Sequence, residues 1–336
     1  MSTTRIPMST AYLLNKIKVF HQGQCNLNIP NLEIAHNECV AILGDNGAGK
    51  STLLNLLAYL NKPEEGELSL MGQQTKSRLS TLQRRSIGYV NQQPFLLSGS
   101  LYDNIALALK LQGMPSAQRP KLTNRALQQV NLNHLASKPA YTLSGGELKR
   151  AAIARAIAHD PQILLLDEPF SHLDQSHIQQ LELIIEDLAS QSGKTVIFST
   201  HDRLQGVALA DTTINLIKGQ ITKSPLLNVF QGQLDGRIFN TSKLYIHTSG
   251  QKIKANHIAI DPHEIIISTS VLDSSMRNHF SGRLTAVSEE AGTIHLTIDC
   301  KERFYAIIST ESLQALNLSI GDNLFLSFKS TAVSLF

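Results

Sequence analysis

The segment Gly44–Ser51 reads GDNGAGKS and fits the pattern G-x-x-x-x-G-K-[ST]. Its glycines allow the backbone to wrap closely, so that several N–H groups converge on phosphate oxygens at the start of a helix. Lys50 would reach the β- and γ-phosphates of a nucleotide, and the Ser51 hydroxyl would bind Mg²⁺. An ordinary glycine turn before a helix is the alternative, and the strand-loop-helix context argues against it. The other candidate nucleotide-binding residues here are Gly44, Asn46, Gly47, Gly49 and Thr52.

A second acidic element follows the apolar run Ile163–Leu166, where Asp167 and Glu168 stand side by side. At the end of a buried strand, Asp167 would bind Mg²⁺ through water, and Glu168 would polarise the water that attacks the γ-phosphate. Charges often end strands without any catalytic role. The interpretation therefore depends on the phosphate loop that precedes this element in the chain.

The elements that must position these residues alternate between strand-like and helical stretches from residue 1 to about 220, which predicts a parallel sheet covered by helices. Val40–Leu43 and Thr195–Ser199 are candidate buried strands, and Ser51–Leu60 has the leucine spacing of a helix. A helical subdomain is expected at about residues 94–158.

The sequence pattern changes after about Ile221. Short segments in which apolar and polar residues alternate are separated there by Gly and Asn. A short helix is expected at Glu311–Leu316, capped by Thr310. We therefore predict a small β-rich domain. Its candidate strands are Lys243–Thr248, Ile265–Ser268, Thr293–Ile298, Phe304–Ile308 and Asn323–Lys329.

Length and composition bound the functional classes. A chain of 336 residues favours two domains, and a net charge of +3 gives no reason to expect nucleic acid as a partner. The three cysteines lack metal or disulfide spacing, so they are interpreted as buried apolar residues in a reducing compartment. We find no signal peptide near the N-terminus, and the aliphatic runs are too short to cross a bilayer. Any membrane role is expected to come through a partner.

Leu143–Glu147 reads LSGGE and resembles the signature sequence of the ABC ATPase family, upstream of Asp167 as in that family. The resemblance covers residues 10 to 220. It implies that Ser144, Gly145 and Gly146 contact the γ-phosphate of ATP held by a second copy, so that hydrolysis needs a homodimer. Ser144 and Glu147 also form a capping box, which is compatible with this role.

Two further positions match residues that the family places around the γ-phosphate. Gln92 corresponds to the glutamine that contacts Mg²⁺ or the attacking water, with Gln93 as the alternative if the register differs by one. His201 follows a strand and corresponds to the switch histidine. The resemblance implies ATP and Mg²⁺ as cofactors.

Two more positions are implied at the edges of the nucleotide site. Asp174 corresponds to the loop that crosses the dimer interface. Phe20 lies where the family places an aromatic residue that stacks on adenine, and Tyr12 and His21 compete for that role. A core position is the structural alternative for Phe20.

The carboxyl-terminal region is similar to the molybdate-binding β-barrel module of molybdate and tungstate importers. A tetrahedral dianion needs N–H groups, hydroxyls and a cation without carboxylates. A purely regulatory or dimerising barrel is the alternative, and Arg277 could equally be a structural ion-pair partner. The candidate oxyanion residues are Ser275, Arg277, Asn278 and Lys329.

Together, these observations predict an α/β phosphate-loop NTPase with an inserted helical subdomain at 1–222, and an all-β, OB-like barrel of the TOBE or MOP type at 223–336. The expected function is the ATPase subunit of a tungstate or molybdate importer. It would lie at the cytoplasmic face of the membrane, bound to integral permease subunits. A periplasmic or extracellular solute-binding protein would be a further partner. An importer of sulfate, polyamine or sugar with a regulatory tail is the alternative. A non-transport ABC ATPase and an oxyanion-storage protein are the competing classes.

Overall fold

The computed structural model describes residues 10–21, 23–74, 79–190, 193–222, 227–249, 254–290 and 292–335. The chain divides into two compact units, Met1–Ile221 and Thr222–Phe336. The predicted domain boundary falls between residues 222 and 223, and residue 223 begins a segment, 223–226, that lies outside the described residues. No described helix is both long enough and apolar enough to span a membrane.

The strands of the first unit build a layered α/β structure around the phosphate loop. They are β1 (Thr10–His21), β2 (Gln24–Ala35), β3 (Cys39–Leu43), β4 (Glu65–Leu70), β5 (Gln73–Gln74), β6 (Ile87–Val90), β7 (Ile163–Leu166), β8 (Thr195–Thr200), β9 (Thr212–Ile217) and β10 (Gln220–Ile221).

The helices of the first unit cover these strands and form the helical subdomain. They are α1 (Lys50–Leu57), α2 (Thr81–Arg85), α3 (Leu101–Leu111), α4 (Arg119–Gln129), α5 (Gly145–Ile157), α6 (Gln175–Ser190) and α7 (Arg203–Leu209).

The central sheet of this unit has the order β10-β9-β3-β8-β7-β6, with β3, β6, β7, β8 and β9 parallel. β3, β7 and β8 are buried along their whole length, as strands covered on both faces must be. Because parallel strands end at the same edge, the loops after β3, β7 and β8 meet there. This edge brings the phosphate loop together with Asp167, Glu168 and His201.

An antiparallel sheet of order β2-β1-β4-β5 packs over helix α1. Tyr12 of β1 is fully buried, and its hydroxyl donates to the carbonyl of Leu57 at 2.9 Å. The predicted helix Ser51–Leu60 is shorter than expected, because it ends at Leu57 and Tyr59 then adopts a left-handed φ of 56°.

The helical subdomain is built from α3, α4 and α5, and capping boxes begin α3 and α5. Ser100 and Asp103 form a capping box at α3, and Ser144 and Glu147 form one at α5. The signature is therefore at the N-terminus of α5.

The strands of the second unit are β11 (Asn228–Gln231), β12 (Gln233–Asp235), β13 (Ile238–Asn240), β14 (Tyr245–His247), β15 (His257–Ile260), β16 (Ile266–Ser268), β17 (Asn278–Glu290), β18 (Thr293–Asp299), β19 (Arg303–Ile308), β20 (Asn323–Phe328) and β21 (Val333–Leu335). They form sheets of order β11-β15-β21, β12-β13-β14 and β16-β20-β17-β18-β19.

Aromatic packing organises the core of the second unit. The ring of Phe304 lies 4.7 Å from that of Phe230, 5.9 Å from Phe280 and 6.1 Å from Phe328, measured between centroids. The short helix predicted in this unit is present as α8 (Thr310–Ala315), but the capping residue differs. Ser309, rather than Thr310, caps it by accepting the backbone N–H of Ser312.

Candidate functional site

The phosphate loop joins β3 to α1 with a backbone that only glycine tolerates at two positions. A Cβ added at Gly44 would overlap the carbonyl oxygen of Leu216, so the close approach of β9 requires glycine there. Gly49 precedes α1 with a left-handed φ of 102°. The loop thus directs the start of α1, and its unpaired N–H groups, toward the space above it.

Lys50 is 5% exposed and lies folded into this loop. Its ammonium donates to the carbonyl of Gly44 at 2.8 Å and to that of Asp45 at 3.3 Å. It also pairs with Glu168 Oε1 at 3.0 Å. The buried cation is therefore compensated by one carboxylate and two carbonyls, as burial of a charge requires.

Asp167 connects the end of β7 to the phosphate loop. Its Oδ1 accepts the hydroxyl of Ser51 at 3.0 Å and the hydroxyl of Ser199 at 2.7 Å. Asp167 is 5% exposed. The structure thus places Ser51 and Asp167 side by side.

Glu168 is held in an uncommon backbone conformation next to Asp167. Its φ is 45°, in the left-handed region that non-glycine residues rarely adopt. Its N–H donates to Ser199 Oγ at 2.8 Å. Its carboxylate bridges Lys50 and His201, whose Nδ1 lies 3.0 Å from Glu168 Oε2. The acidic side chain thus reaches the phosphate loop from the end of β7, which is separated from β3 by β8 in the sheet.

A cavity of about 610 Å³ opens in front of the loop. Among the predicted site residues, Gln92 reaches it from the end of β6, while Gln93 does not line it, which favours the Gln92 register. The predicted site residues that line the cavity are Asn46, Gly47, Gly49, Lys50, Ser51, Thr52, Gln92 and Glu168.

The signature residues Ser144, Gly145, Gly146 and Glu147 do not line this cavity. Ser144 Oγ accepts the N–H of Glu147 at 3.3 Å, and the Glu147 carboxylate accepts the N–H of Ser144 at 2.8 Å. This backbone N–H lowers the pKa of Glu147, and Lys138 contributes. Around Gly145, a Cβ would meet no atom within 4 Å. The start of α5 is thus rigidly capped and has open space at Gly145.

Asp174 immediately precedes α6, and its carboxylate is bonded to residues of the first turn of that helix. Its carboxylate accepts the N–H of His177 at 2.9 Å and the hydroxyl of Ser176 at 2.8 Å. The His177 ring lies 2.8 Å from the same carboxylate. These bonds, led by the His177 N–H, lower the pKa of Asp174. Asp174 does not line the cavity.

The aromatic candidates differ in their position relative to the cavity. Phe20 is 38% exposed and faces Cys25 across the β1–β2 pair, and Cys25 lines the cavity. Tyr12 lies in the core, so its ring is not available to a base. His21, which faces Gln24, is exposed. Phe20 therefore borders the cavity without lining it.

The oxyanion candidates of the second unit lie near one end of the β17–β20 pair, where Asn278 faces Phe328. Asn278 is 1% exposed, and its amide donates to the carbonyl of His247 and accepts the His247 N–H at 2.7 Å. Ser275, Arg277 and Lys329 are exposed. The structure thus gives the Asn278 amide two backbone partners and leaves the other three candidates at the surface.

Sequence reasoning missed several residues of the site. Cys25 and Asn26, at the start of β2, and Lys218, in the β9–β10 turn, also line the cavity, and only long-range pairing brings them to the phosphate loop. Ser199 and Lys149 bind the Asp167–Glu168 segment. Ser199 could have been found from its place two residues before His201, on a strand predicted to be buried.

Family models match two parts of the chain. The ABC transporter model matches residues 27–171, and the TOBE domain model matches residues 274–335. The first region contains the phosphate loop, Gln92, Glu168 and the signature. The second contains the candidate oxyanion residues.

Among curated relatives, the molybdate/tungstate import ATP-binding protein WtpC of Thermococcus kodakarensis is 31% identical, over 78% of this chain and 84% of that protein. The sulfate/thiosulfate import ATP-binding protein CysA 2 of Rhizobium meliloti is 32% identical, over 80% and 78%. The spermidine/putrescine import ATP-binding protein PotA of Lawsonia intracellularis is 32% identical, over 74% and 69%.

Among solved structures, the dimeric ATP-binding cassette MJ0796, in a post-hydrolysis state with ADP and Pi, matches with a TM-score of 0.57 and 31% identity. The match covers 63% of this chain and 97% of that cassette. The fold, the phosphate-loop geometry and these relatives agree. The chain is an ATP-binding ATPase of the ABC transporter family, of the importer type, with a β-rich TOBE domain at its carboxyl-terminal side.

Proposed function

We propose that this chain is the ATPase subunit of an importer that takes up tungstate or molybdate. It acts as a homodimer at the cytoplasmic face of the membrane, bound to permease subunits that receive solute from a solute-binding protein. The observation that carries the catalytic part is the Glu168 carboxylate, which bridges Lys50 and His201 at the mouth of the phosphate loop. The similarity to the molybdate/tungstate import ATP-binding protein of Thermococcus kodakarensis supports the choice of solute.

The oxygen atoms near the phosphate loop fit a magnesium ion. The Ser51 hydroxyl and the Asp167 carboxylate are 3.0 Å apart, and Gln92 lines the same cavity. Mg²⁺ prefers hard oxygen ligands, and it usually takes most of them from water and from substrate phosphates. A site in which the protein supplies only a few oxygen atoms therefore suits this ion. When bound, the ion would neutralise phosphate charge. Ser51 and Asp167 would hold it, directly and through water, with Gln92 beside them.

The chain's own groups then divide the work of hydrolysis. The loop N–H groups and Lys50 bind the phosphates and stabilise the charge that spreads over the transferring phosphoryl group. Glu168 accepts a proton from the attacking water, or orients that water, from a fixed position beside Lys50. His201 contacts the γ-phosphate and shares the Glu168 carboxylate.

The signature supplies the other side of the nucleotide. Ser144 and Gly145 stand at a capped helix N-terminus with open space in front of it, which is where such a helix binds an anion. They do not line the cavity of their own chain. In the homodimer, Ser144, Gly145 and Gly146 contact the γ-phosphate held by the partner copy, and Asp174 lies at the same interface.

The variant Glu168→Gln tests the catalytic assignment. Glutamine keeps the size and one oxygen of the side chain but accepts no proton, so kcat is expected to fall about 10²- to 10⁴-fold. ATP binding, measured by fluorescent-nucleotide titration, is expected to persist. Glu186→Gln on the exposed face of α6 is the matched control. A Glu168→Gln protein that hydrolyses ATP like the control would remove Glu168 as the base.

Calorimetry of the intact chain with tungstate, molybdate and sulfate tests whether the tail recognises an oxyanion. Arg277 is exposed on the segment between β16 and β17, and its guanidinium suits a tetrahedral dianion. Heat with tungstate or molybdate, lost in Arg277→Ala and retained in Arg237→Ala, is the expected result. Absence of heat with all three ions would favour an importer of another solute, such as sulfate or a polyamine, with a purely regulatory tail.

A further inference from the structure

Lys149 lies on α5, four residues after Gly145, and its side chain turns inward to the segment that follows β7. Its ammonium donates to the carbonyl of Glu168 at 3.0 Å, to the carbonyl of Ser171 at 2.7 Å and to Ser171 Oγ at 2.9 Å. The three donors of an ammonium thus have three acceptors. One cation on the signature helix therefore binds the backbone of the acidic segment directly.

This contact falls on the strained residue of the site. Glu168 has a φ of 45°, a conformation that is unfavourable for a non-glycine residue and persists only where neighbours enforce it. Ser199 Oγ accepts its N–H, whereas Lys149 and the Ser171 hydroxyl both donate to its carbonyl. Lys149 is the charged member of this set. Turning the Glu168 peptide would break the bonds on both sides.

We propose that Lys149 is a positioning residue for hydrolysis: it fixes the Glu168 backbone, so that the carboxylate stays between Lys50 and His201, and it ties this geometry to the signature helix. The inference rests on the proposed role of Glu168. Gly145 and Lys149 are one helical turn apart on α5. A nucleotide held by the partner copy would contact the start of α5. The same helix, through Lys149, binds the segment that contains Glu168.

The charge on Lys149 provides a readout that simple packing would not give. Burial lowers its pKa to about 8, with the Glu168 carboxylate opposing the shift. The charged group that acts on the Lys149 ammonium is the Glu168 carboxylate, which is itself paired with Lys50 and His201. A neutral amine has only two N–H groups, so proton loss leaves one acceptor without a donor. Turnover is expected to fall as pH rises through about 8.

Steady-state kinetics of the intact chain test the proposal with three variants. Lys149→Met removes the donors at similar length, and kcat is expected to fall about ten- to a hundredfold, the equivalent of one or more charge-assisted bonds, with KM for ATP within about twofold. Lys149→Arg keeps the charge, because a guanidinium does not lose its proton in this range. It is expected to retain much of kcat and to lose the alkaline decline measured from about pH 7 to about pH 9.5. Lys121→Met, exposed on α4, is the matched control.

The outcomes separate this inference from the proposed function. If the Glu168→Gln protein is inactive, but the Lys149→Met protein has the kcat of the control and an unchanged pH profile, then the proposed role of Lys149 is wrong and that of Glu168 stands. An active Glu168→Gln overturns the base assignment on which it rests. If Lys149→Met does not fold, as judged by circular dichroism, the arginine variant decides. An alkaline decline that is the same in Lys149→Arg and wild type contradicts the proposal.

Discussion

Glu168 shows how a single side chain depends on its backbone and on distant neighbours. Its hydrogen-bond partners come from β8, from α5 and from its own turn, and they hold its backbone at a left-handed φ. The local sequence Asp167-Glu168-Pro169 does not predict this conformation. The residue type and its place after an apolar run could be predicted, because a hydrophobic strand ending in two acids is visible in the sequence. Its conformation could not, because the groups that enforce it are 19 and 31 residues away.

Cysteine reactivity reports on the nucleotide cavity at the scale of single residues. Cys25 is exposed and lines the cavity, so the prediction that all three cysteines are buried is wrong for this residue. Burial raises the pKa of Cys39 and of Cys300 to about 12. Because the thiolate is the nucleophile, brief treatment with iodoacetamide at about pH 8 is expected to alkylate Cys25 first. ATP with Mg²⁺ is expected to slow that reaction severalfold.

Mass spectrometry of the alkylated protein provides the check on Cys25. Unfolding in guanidinium should expose all three thiols and serves as the control for the reagent. Equal labelling of Cys25 with and without nucleotide would mean that bound ATP does not cover Cys25 at the start of β2.

At the scale of elements, hydrophobic periodicity located the buried strands well. Val40–Leu43, Ile163–Leu166 and Thr195–Ser199 lie within or coincide with β3, β7 and β8. The longest strand of the second unit, β17 (Asn278–Glu290), was not predicted as a strand. Its sequence mixes polar and apolar residues, and pairing with β18 and β20, rather than local pattern, holds it extended.

The start of α5 and the start of α6 contact each other through Gly146. A Cβ added at Gly146 would overlap the imidazole of His177, which is itself paired with Asp174. Gly146→Ala is therefore expected to lower the free energy of unfolding by about 1–3 kcal/mol and to disturb the signature. Chemical denaturation measures the first effect and ATPase activity the second.

A second substitution and a neighbouring glycine make this prediction specific. His177→Ala in the Gly146→Ala background should recover much of the lost stability, since it removes the ring that the new methyl group meets. Gly145→Ala has free space around its Cβ, so it should leave stability close to wild type and impair only turnover in the dimer. Equal stability losses at Gly145 and Gly146 would show that the His177 contact is not the cause.

At the scale of the whole molecule, the chain consists of two units that each have a core of their own. The first buries leucines and isoleucines of both sheets against α1, and the second buries the Phe304 cluster between its sheets. Composition and texture alone predicted two domains, because the period of the hydrophobic pattern changes near Ile221. The proposed homodimer could be predicted only from the signature motif. A site shared between two copies does not change the spacing of hydrophobic residues, so the hydrophobic pattern could not indicate it.

We propose that neither copy of this chain holds a complete catalytic site. Lys50 and Glu168 line one cavity, and His201 pairs with the Glu168 carboxylate. Ser144 and Gly145 do not line this cavity, and a Cβ added at Gly145 would meet no atom within 4 Å. In the proposed function, a second copy completes the site, with ATP between the two.

The most direct test is the specific ATPase activity as a function of protein concentration, with the oligomeric state followed by sedimentation in the same buffer. We expect the specific activity to rise with concentration and to level off as the ATP-bound dimer forms, and Ser144→Arg, which fills the space for the partner's phosphate, to abolish it. A specific activity that stays constant and undiminished while the protein sediments as a monomer, with no effect of Ser144→Arg, would contradict the account.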